Sequence, residues 1–259
     1  MPTYAILGAT GACGGAILKT LITSPSNTVH CYVRSSAKLE RQNPEIFESP
    51  NVRVFEGPFQ DVELISRCIE PTNAVFQTIA SNDNIPGLRI AQDSAQVLVA
   101  ALSLLRERQR DAKLPRVVVL SAAPVNHELS EGAPVAMDAI LWRALGYIYG
   151  DLELAQNFLR LQEGWLSVTF VQPGGLNTTS ASGYKLTLTG PISGGFLSYD
   201  DLAAAMVEIA DTEGTYDGKG VGVIPRKHAG VRPGAFTDVL KGAVWWYLPW
   251  LYGFFQSRT

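Results

Sequence analysis

The chain has 259 residues, 46% of them hydrophobic and 17% charged, with a formal net charge of −3. That length can bury a full core as one large or two small domains, and the charge balance lacks the basic excess of a nucleic-acid binder. Three cysteines, Cys13, Cys31 and Cys68, are odd in number and lack metal-ligand spacing, so they read as free thiols of a reducing compartment. No basic segment followed by an apolar one opens the sequence, and the expectation is a cytoplasmic protein without a metal site.

An apolar run, Tyr4–Leu7, is followed at once by Gly8-Ala9-Thr10-Gly11-Ala12-Cys13-Gly14-Gly15 and then by the helical pattern Ala16–Ile22. A strand that ends in a glycine turn opening a helix brings bare N–H groups and a positive helix end to one point, a cradle for a pyrophosphate. The spacing is G-x-x-G-x-x-G. Gly8 is expected to make the tight turn, Gly11 to let the diphosphate approach, and Gly14 to let the helix pack close to the strand. Thr10 and Cys13 lie in the same loop and join the candidate cofactor contacts. A merely structural strand-to-helix turn is the alternative.

A second strand is expected at Thr28–Val33, and directly after it come Arg34, Ser35 and Lys38. In a dinucleotide fold an acidic residue about 20 positions past the glycine loop binds the ribose hydroxyls, whereas a basic one accommodates a 2′-phosphate. Arg34 stands at that place, so the expected cofactor is NADP(H); the plain reading is that Arg34 and Lys38 solvate a loop. Val52–Phe55 reads as a third strand, Asp61 as the N-cap of a helix Val62–Ile69, and Ala74–Ile79 as a fourth strand. Its exit, Ala80-Ser81-Asn82-Asp83-Asn84, falls where ligand-crevice loops of open α/β sheets lie. Ala80 is a cofactor candidate there, and Asn82 and Asp83 are either pocket or turn residues.

A long helix from Pro86 to Arg108 is expected to end in a solvated charge run reaching Asp111. Arg116–Leu120, nearly continuous valine, should be buried on both faces, and it delivers Ser121. Pro124 to Pro134 reads as an irregular loop containing His127, before a helix that carries Tyr147, Tyr149, Asp151 and Glu153. Ser167–Gln172 leads into Pro173-Gly174-Gly175 and a long Gly/Ser/Thr-rich segment to Gly195, of the kind that binds something or covers a site. A helix Tyr199–Ala210, opened near Ser198 and Asp200, and a strand Lys219–Ile224 complete the alternation. Such alternation implies a doubly wound parallel α/β sheet of Rossmann type. The chain is read as a single NAD(P)-binding domain over 1–259, with a small substrate lobe from about 122–150, 174–198 and 225–259.

Together, Gly8-x-x-Gly11-x-x-Gly14, Arg34, Ser121 and Gln172-Pro173-Gly174 resemble an atypical short-chain dehydrogenase/reductase of the NmrA-like, NAD(P)-binding group over roughly residues 3–225. Tyr-Gly-Asp-Leu-Glu at 149–153, Gln-Pro-Gly-Gly-Leu at 172–176 and Ser-Tyr-Asp-Asp-Leu-Ala-Ala-Ala-Met at 198–206 look like fungal averufin oxidase A-type proteins. Those proteins are associated with tailoring aromatic polyketides such as anthraquinones and xanthones. The resemblance implies bound NADP(H), with Pro173 and Gly174 beside it, and a flat aromatic substrate.

Ordinary members of the superfamily use Ser, Tyr and Lys. The Tyr moves the proton, and the Lys four residues later lowers a phenol pKa of about 10. Here Glu153 follows Tyr149 at that place and Asp151 follows Tyr147, and a carboxylate raises a phenol's pKa. The usual alcohol-oxidation machinery is missing. Tyr149 can still give a proton to a quinone or enone oxygen that gains charge on accepting hydride; Ser121 can hydrogen-bond that oxygen and His127 can supply the proton instead. The plain reading is that Tyr149 packs its ring while Asp151 and Glu153 face solvent.

Three functions stand on these residues. One is an NADPH-dependent reductase of an aromatic polyketide; another is a non-redox isomerase, dehydratase or epoxide-opening enzyme using Asp151, Glu153 or His127; the third is an NADP-sensing regulator. The aromatic stretch from Val244 to Phe255 contains Pro249 and Gly253 and is shorter than the about 20 residues of a membrane-crossing helix. It is expected to cover a flat substrate or form a dimer contact, with peripheral membrane contact as the alternative.

Overall fold

A computed structural model describes residues 1–47, 49–108, 113–131, 135–192, 195–227, 235–250 and 252. The apolar runs become strands β1 (Thr3–Leu7), β2 (Thr28–Val33), β3 (Val52–Glu56), β4 (Ala74–Gln77), β5 (Arg116–Leu120) and β6 (Val168–Pro173). The short segments β7 (Gly175–Asn177), β8 (Tyr184–Thr187) and β9 (Phe196–Ser198) follow, and then the full strand β10 (Gly220–Pro225). The main sheet runs β3-β2-β1-β4-β5-β6-β10-β8. All neighbours in it are parallel except β8, which lies antiparallel to β10 along one edge.

Helices cover both faces because alternate residues of each strand point to opposite sides. On one face α1 (Ala12–Ile22) and α7 (Tyr199–Asp211) pack Ile17, Leu21, Leu202 and Met206 onto Ile6, Phe76, Val118 and Val171. On the other, α3 (Val62–Ile69), α4 (Ile90–Arg108) and α6 (Val135–Arg160) pack Ile65, Leu98, Leu102, Leu152 and Leu159 onto Leu7, Val75, Val117, Val119 and Phe170. The valine run of β5 is thus buried on both faces, as its sequence requires. A short helix, α2 (Ser36–Gln42), follows β2, and α5 (His127–Ser130) and α8 (Ala235–Tyr247) stand outside the two helical layers.

Caps set several boundaries. Asp61 Oδ1 accepts from Leu64 N at 2.9 Å and starts α3 at the expected place. At the head of α7, Ser198 Oγ accepts from Asp201 N at 2.9 Å and donates to Asp201 Oδ2 at 2.8 Å. The Asp201 carboxylate also takes the amides of Ser182 and Gly183, at 2.8 and 2.9 Å, and so ties the preceding loop to the helix.

The structure departs from the sequence reading in several places. β4 ends at Gln77 instead of Ile79, because Thr78 turns its amide (3.0 Å) and its hydroxyl (2.8 Å) onto Leu7 O. The Gly/Ser/Thr-rich segment is not one loop: β7 pairs with β9, and β8 borders the main sheet. Strands of three or four residues are too short for alternation to show. The expected irregular loop after β5 contains a 3-10 turn, Ala123–Val125, and then α5, capped by Asn126; residues 132–134 lie outside the described residues.

The charge run at the end of α4 is not merely solvated, since Arg108 makes two hydrogen bonds to the Glu63 carboxylate, at 2.9 and 2.7 Å. Arg106 lies 5.3 Å over the Trp165 ring, while residues 109–111 of the run fall outside the description. Of the aromatic tail, Leu251 and 253–255 are likewise outside it. Among the described residues no helix is long and apolar enough to cross a membrane.

Candidate functional site

The parallel strands end together along one edge of the sheet. Between β1 and β4 the winding reverses direction, which opens a crevice beyond the strand ends. Gly8 follows β1 directly with φ +100°, and its N–H donates to Tyr32 O at 3.2 Å. A methyl group at Gly8 would meet Thr78 Oγ1 at 3.0 Å, and one at Gly14 would overlap Gly8 O. The loop and the first turn of α1 are therefore in backbone contact, which only hydrogen at Gly14 permits. Gly11, exposed, is the N-cap of α1, and a methyl there would approach only Gly8 O, at 3.3 Å.

The first intrahelical bond of α1 runs from Gly15 N to Gly11 O at 2.8 Å, so the amides of Ala12, Cys13 and Gly14 have no carbonyl one turn back within the helix. An exposed helix start with three such amides suits a diphosphate. Cys13 is 5% exposed and directs its thiol onto Met206 Sδ at 3.7 Å. Burial pushes that thiol's pKa up to about 12, so Cys13 offers a ligand its amide alone. Thr10, half-buried, lies beside Gln42, whose Nε2 donates to Thr10 O at 3.5 Å.

At the end of β2, Arg34 and Lys38 are exposed, and Arg34 forms no ion pair or side-chain hydrogen bond among the described residues. Ser35 caps α2, with its Oγ accepting from Lys38 N at 3.3 Å. Ala80 is exposed beyond β4. Asn82 and Asp83 are exposed too, and Asp83 N donates to Ser81 Oγ at 3.1 Å, a turn contact. Their buried neighbour Asn84 reaches into α6, where its Oδ1 accepts from Tyr147 N at 2.9 Å and Ile148 N at 3.2 Å. Pro173 closes β6, and a methyl at Gly174 would meet Ile192 Cγ2 at 3.2 Å.

Ser121 follows β5, 6% exposed, and its Oγ accepts from Gln156 Nε2 of α6 at 2.7 Å. Gln156 Oε1 accepts from Gln172 Nε2 at 3.1 Å, and Gln172 Oε1 accepts from Asn126 Nδ2 at 2.8 Å. Four polar side chains, from the end of β5, from β6, from α6 and from the α5 cap, thus form one chain, buried at Ser121, Gln156 and Gln172 and half-buried at Asn126. A cavity of about 10 Å³ beside it, lined by Gln77, Ser94, Ser121 and Gln156 among others, is no larger than one water. No substrate fits behind Ser121, so any substrate meets it from the crevice. A cavity of about 320 Å³ lies at the opposite edge of the sheet, where Arg116 begins β5 and Ser167 precedes β6.

The remaining candidates divide. Asp151 is buried with both oxygens engaged: it accepts from Ala91 N at 2.8 Å, Gln92 N at 3.1 Å and Gln92 Nε2 at 3.0 Å. It holds the first turn of α4, which corrects both the catalytic and the solvent-facing readings of this residue. His127 begins α5 on its exposed side and joins no bond of the Ser121 chain; Glu153 is exposed. Tyr149 is 7% exposed, with its ring edge-on to Trp142 at a centroid distance of 5.3 Å. Tyr147 faces Trp246 of α8, at 5.5 Å.

The sequence reading missed Gln156 and Asn126, and it took Gln172 only as part of a motif. A signal for Gln156 exists: Tyr149, Leu152, Gln156 and Leu159 recur at helical spacing on one buried stripe of α6. A glutamine inside an apolar stripe needs a polar partner in the core.

A family model described as NAD(P)H-binding matches residues 8–213. Oxidoreductase dmxR7 of Cryptosporiopsis sp. is 43% identical over 225 residues, which cover 86% of this chain and 94% of that protein. Oxidoreductase aflX of Aspergillus parasiticus is 41% identical over 263 residues, covering 98% of this chain and 96% of the relative. Among solved structures, a short-chain dehydrogenase/reductase from Veillonella parvula in complex with NADP superposes with a TM-score of 0.71 at 23% identity. It covers 90% of this chain and 98% of its own, and it shows the shared fold. Fold, glycine loop and relatives agree: the chain belongs to the NAD(P)H-binding family and is an NAD(P)-dependent oxidoreductase.

Proposed function

We propose that the protein is an NADPH-dependent reductase acting on a quinone, enone or ketone of an aromatic polyketide of the anthraquinone or xanthone type. The observation that carries this reading is Ser121, held by Gln156 at the crevice on a helix whose tyrosine frame lacks lysine. Such a site can steady and protonate an oxygen that gains charge, while it has no means of deprotonating an alcohol through a lowered phenol pKa.

NADPH supplies the hydride when bound. The hydride goes to a carbon; Ser121 donates a hydrogen bond to the oxygen that gains charge, and Tyr149, two helical turns from Gln156 on the same face of α6, gives that oxygen the proton. The glycine loop holds the diphosphate through the amides of α1, and the exposed Arg34 takes the 2′-phosphate with Lys38 at its side. The described parts of segments 122–150, 174–198 and 225–259 border the flat substrate. Three free, buried cysteines are in keeping with a cytoplasmic setting. The exposed side chains Val244 and Tyr247 of α8, with Leu248 and Trp250 just after it, serve as a subunit contact in this reading.

The non-redox alternative loses Asp151, whose carboxylate is committed to the head of α4. The test is anaerobic NADPH consumption against hydroxylated anthraquinones, with NADH as comparison and product mass recorded. A product two hydrogens heavier is expected, as is a loss of about 10-fold or more in NADPH affinity, with NADH unchanged, in Arg34→Ala. A product formed with NADPH untouched refutes the reading.

A further inference from the structure

We infer that Ser121 is fixed as a hydrogen-bond donor toward the substrate, and that its orientation is set by Asn126 through Gln172 and Gln156. The inference deepens the reductase reading and rests on it for the identity of the acceptor. The bound oxygen must accept a hydrogen bond, as a carbonyl does.

The argument turns on which end of each amide faces which neighbour. Asn126 Oδ1 accepts from the backbone amide of Glu128 at 3.0 Å, and a backbone amide only donates. Its Nδ2 therefore faces Gln172 and donates to Oε1, at 2.8 Å. That leaves Gln172 Nε2 to donate to Gln156 Oε1 at 3.1 Å, and Gln156 Nε2 to donate to Ser121 Oγ at 2.7 Å. Every link points the same way, because reversing one would set two donors or two acceptors face to face.

Gln172 is 0% exposed and Gln156 5%, so water does not reach these two links from outside, and the half-buried Asn126 is held by the Glu128 amide. A methyl at Gly220 would overlap Gln172 Oε1 and stand 2.5 Å from Asn126 Nδ2, so hydrogen at that position leaves room for the link. With an N–H already on its oxygen, the Ser121 proton is directed away from Gln156. Asn126, Gln172 and Gln156 are positioning residues, and the atom that meets substrate is the Ser121 hydroxyl.

Two near-isosteric changes reverse the chain. In Gln156→Glu the carboxylate still accepts from Gln172 but also accepts from Ser121, so the hydroxyl proton turns inward. In Asn126→Asp no donor faces Gln172, whose amide then flips and takes Gln156 with it. The probe is NADPH-dependent reduction of 1,8-dihydroxyanthraquinone. Ser121→Ala and Gln156→Glu at pH 8 are each expected to lose about 10²-fold in kcat, with NADP+ affinity unchanged; Asn126→Asp is expected to fall in the same direction.

Gln156→Glu should recover as pH falls and a protonated Glu donates again, whereas Ser121→Ala should not. Ser121→Ala/Gln156→Glu should lose no more than Ser121→Ala. An undiminished Asn126→Asp, or a double variant far worse than Ser121→Ala, overturns the inference. Neutron diffraction from the deuterated wild-type protein separates the two claims. If the quinone is not reduced, the reductase reading fails, yet a map with Gln156 deuterons on Ser121 Oγ upholds the donor assignment. A Ser121 deuteron pointing at Gln156 overturns it whatever the kinetics.

Discussion

The two ends of the crevice are made of different material. Around the first strand the site is backbone: Gly8, Gly11 and Gly14 contribute a turn, an open helix start and a close contact, and the side chain of Cys13 is turned away. Across the sheet, beyond β5 and β6, it is side chain: Ser121, Gln156, Gln172 and Asn126, each from a different element. A backbone site depends on the absence of atoms and tolerates almost nothing added. A side-chain site depends on partners being present, and it fails by losing one of them.

Adding a methyl tests that contrast most severely. Gly14→Ala sets its Cβ into Gly8 O and is expected to cost about 1–3 kcal/mol in urea unfolding as overpacking, together with most NADP+ affinity. Gly11→Ala should keep stability within about 0.5 kcal/mol while weakening NADP+, since its methyl meets only Gly8 O. Equal stability loss in both variants would remove the distinction. On the side-chain half, Asp151→Ala leaves the amides of Ala91 and Gln92 without their acceptor and should cost about 1–3 kcal/mol. Asp151→Asn should cost less and keep kcat; if kcat collapses while the unfolding midpoint holds, the carboxylate takes part in chemistry.

Smaller effects lie away from the crevice. His30 is buried and its Nδ1–H donates to Cys68 O at 2.6 Å. Burial holds its pKa below the usual 6.5, so the unfolded chain binds the proton more readily. Stability should be full above pH about 6.5 and fall as pH drops, by at most about 1.4 kcal/mol per pH unit from this group. Urea titrations of wild type and His30→Asn at several pH values would show that slope only in the former. The least effect is expected at Cys13: with its thiol raised to about 12 by burial, native protein should resist iodoacetamide at pH 8, whereas unfolded protein reacts at all three cysteines.

The same contrast decides what was legible in the sequence. Gly8, Gly11 and Gly14 announce the loop by their spacing, and at Gly8 and Gly14 only glycine serves, while the strand Thr28–Val33 and the Asp61 cap were fixed locally by apolar run and capping chemistry. Ser121 was legible by its place after a valine strand. Its partners were not, since Gln156, Gln172 and Asn126 meet only once α6 and α5 have docked. Asp151 misled for the converse reason: a carboxylate near a tyrosine suggests chemistry, and its true partners lie about 60 residues earlier in the chain. β8 escaped because an antiparallel edge strand inside a glycine-rich stretch carries little periodicity.

Asp151 also acts mechanically, as a key in a keyway. A helix turns about 100° per residue, so Asp151 and Gln156 leave α6 at azimuths about 140° apart. One is engaged with the head of α4 and the other with Ser121 at the end of β5. A cylinder held at two azimuths cannot roll, and rolling is the easiest motion for a helix lying on a sheet. Tyr149, carried on the same shaft, therefore keeps its angular setting, so the carboxylate that stands where a lysine would follow Tyr147 helps to hold Tyr149 in place.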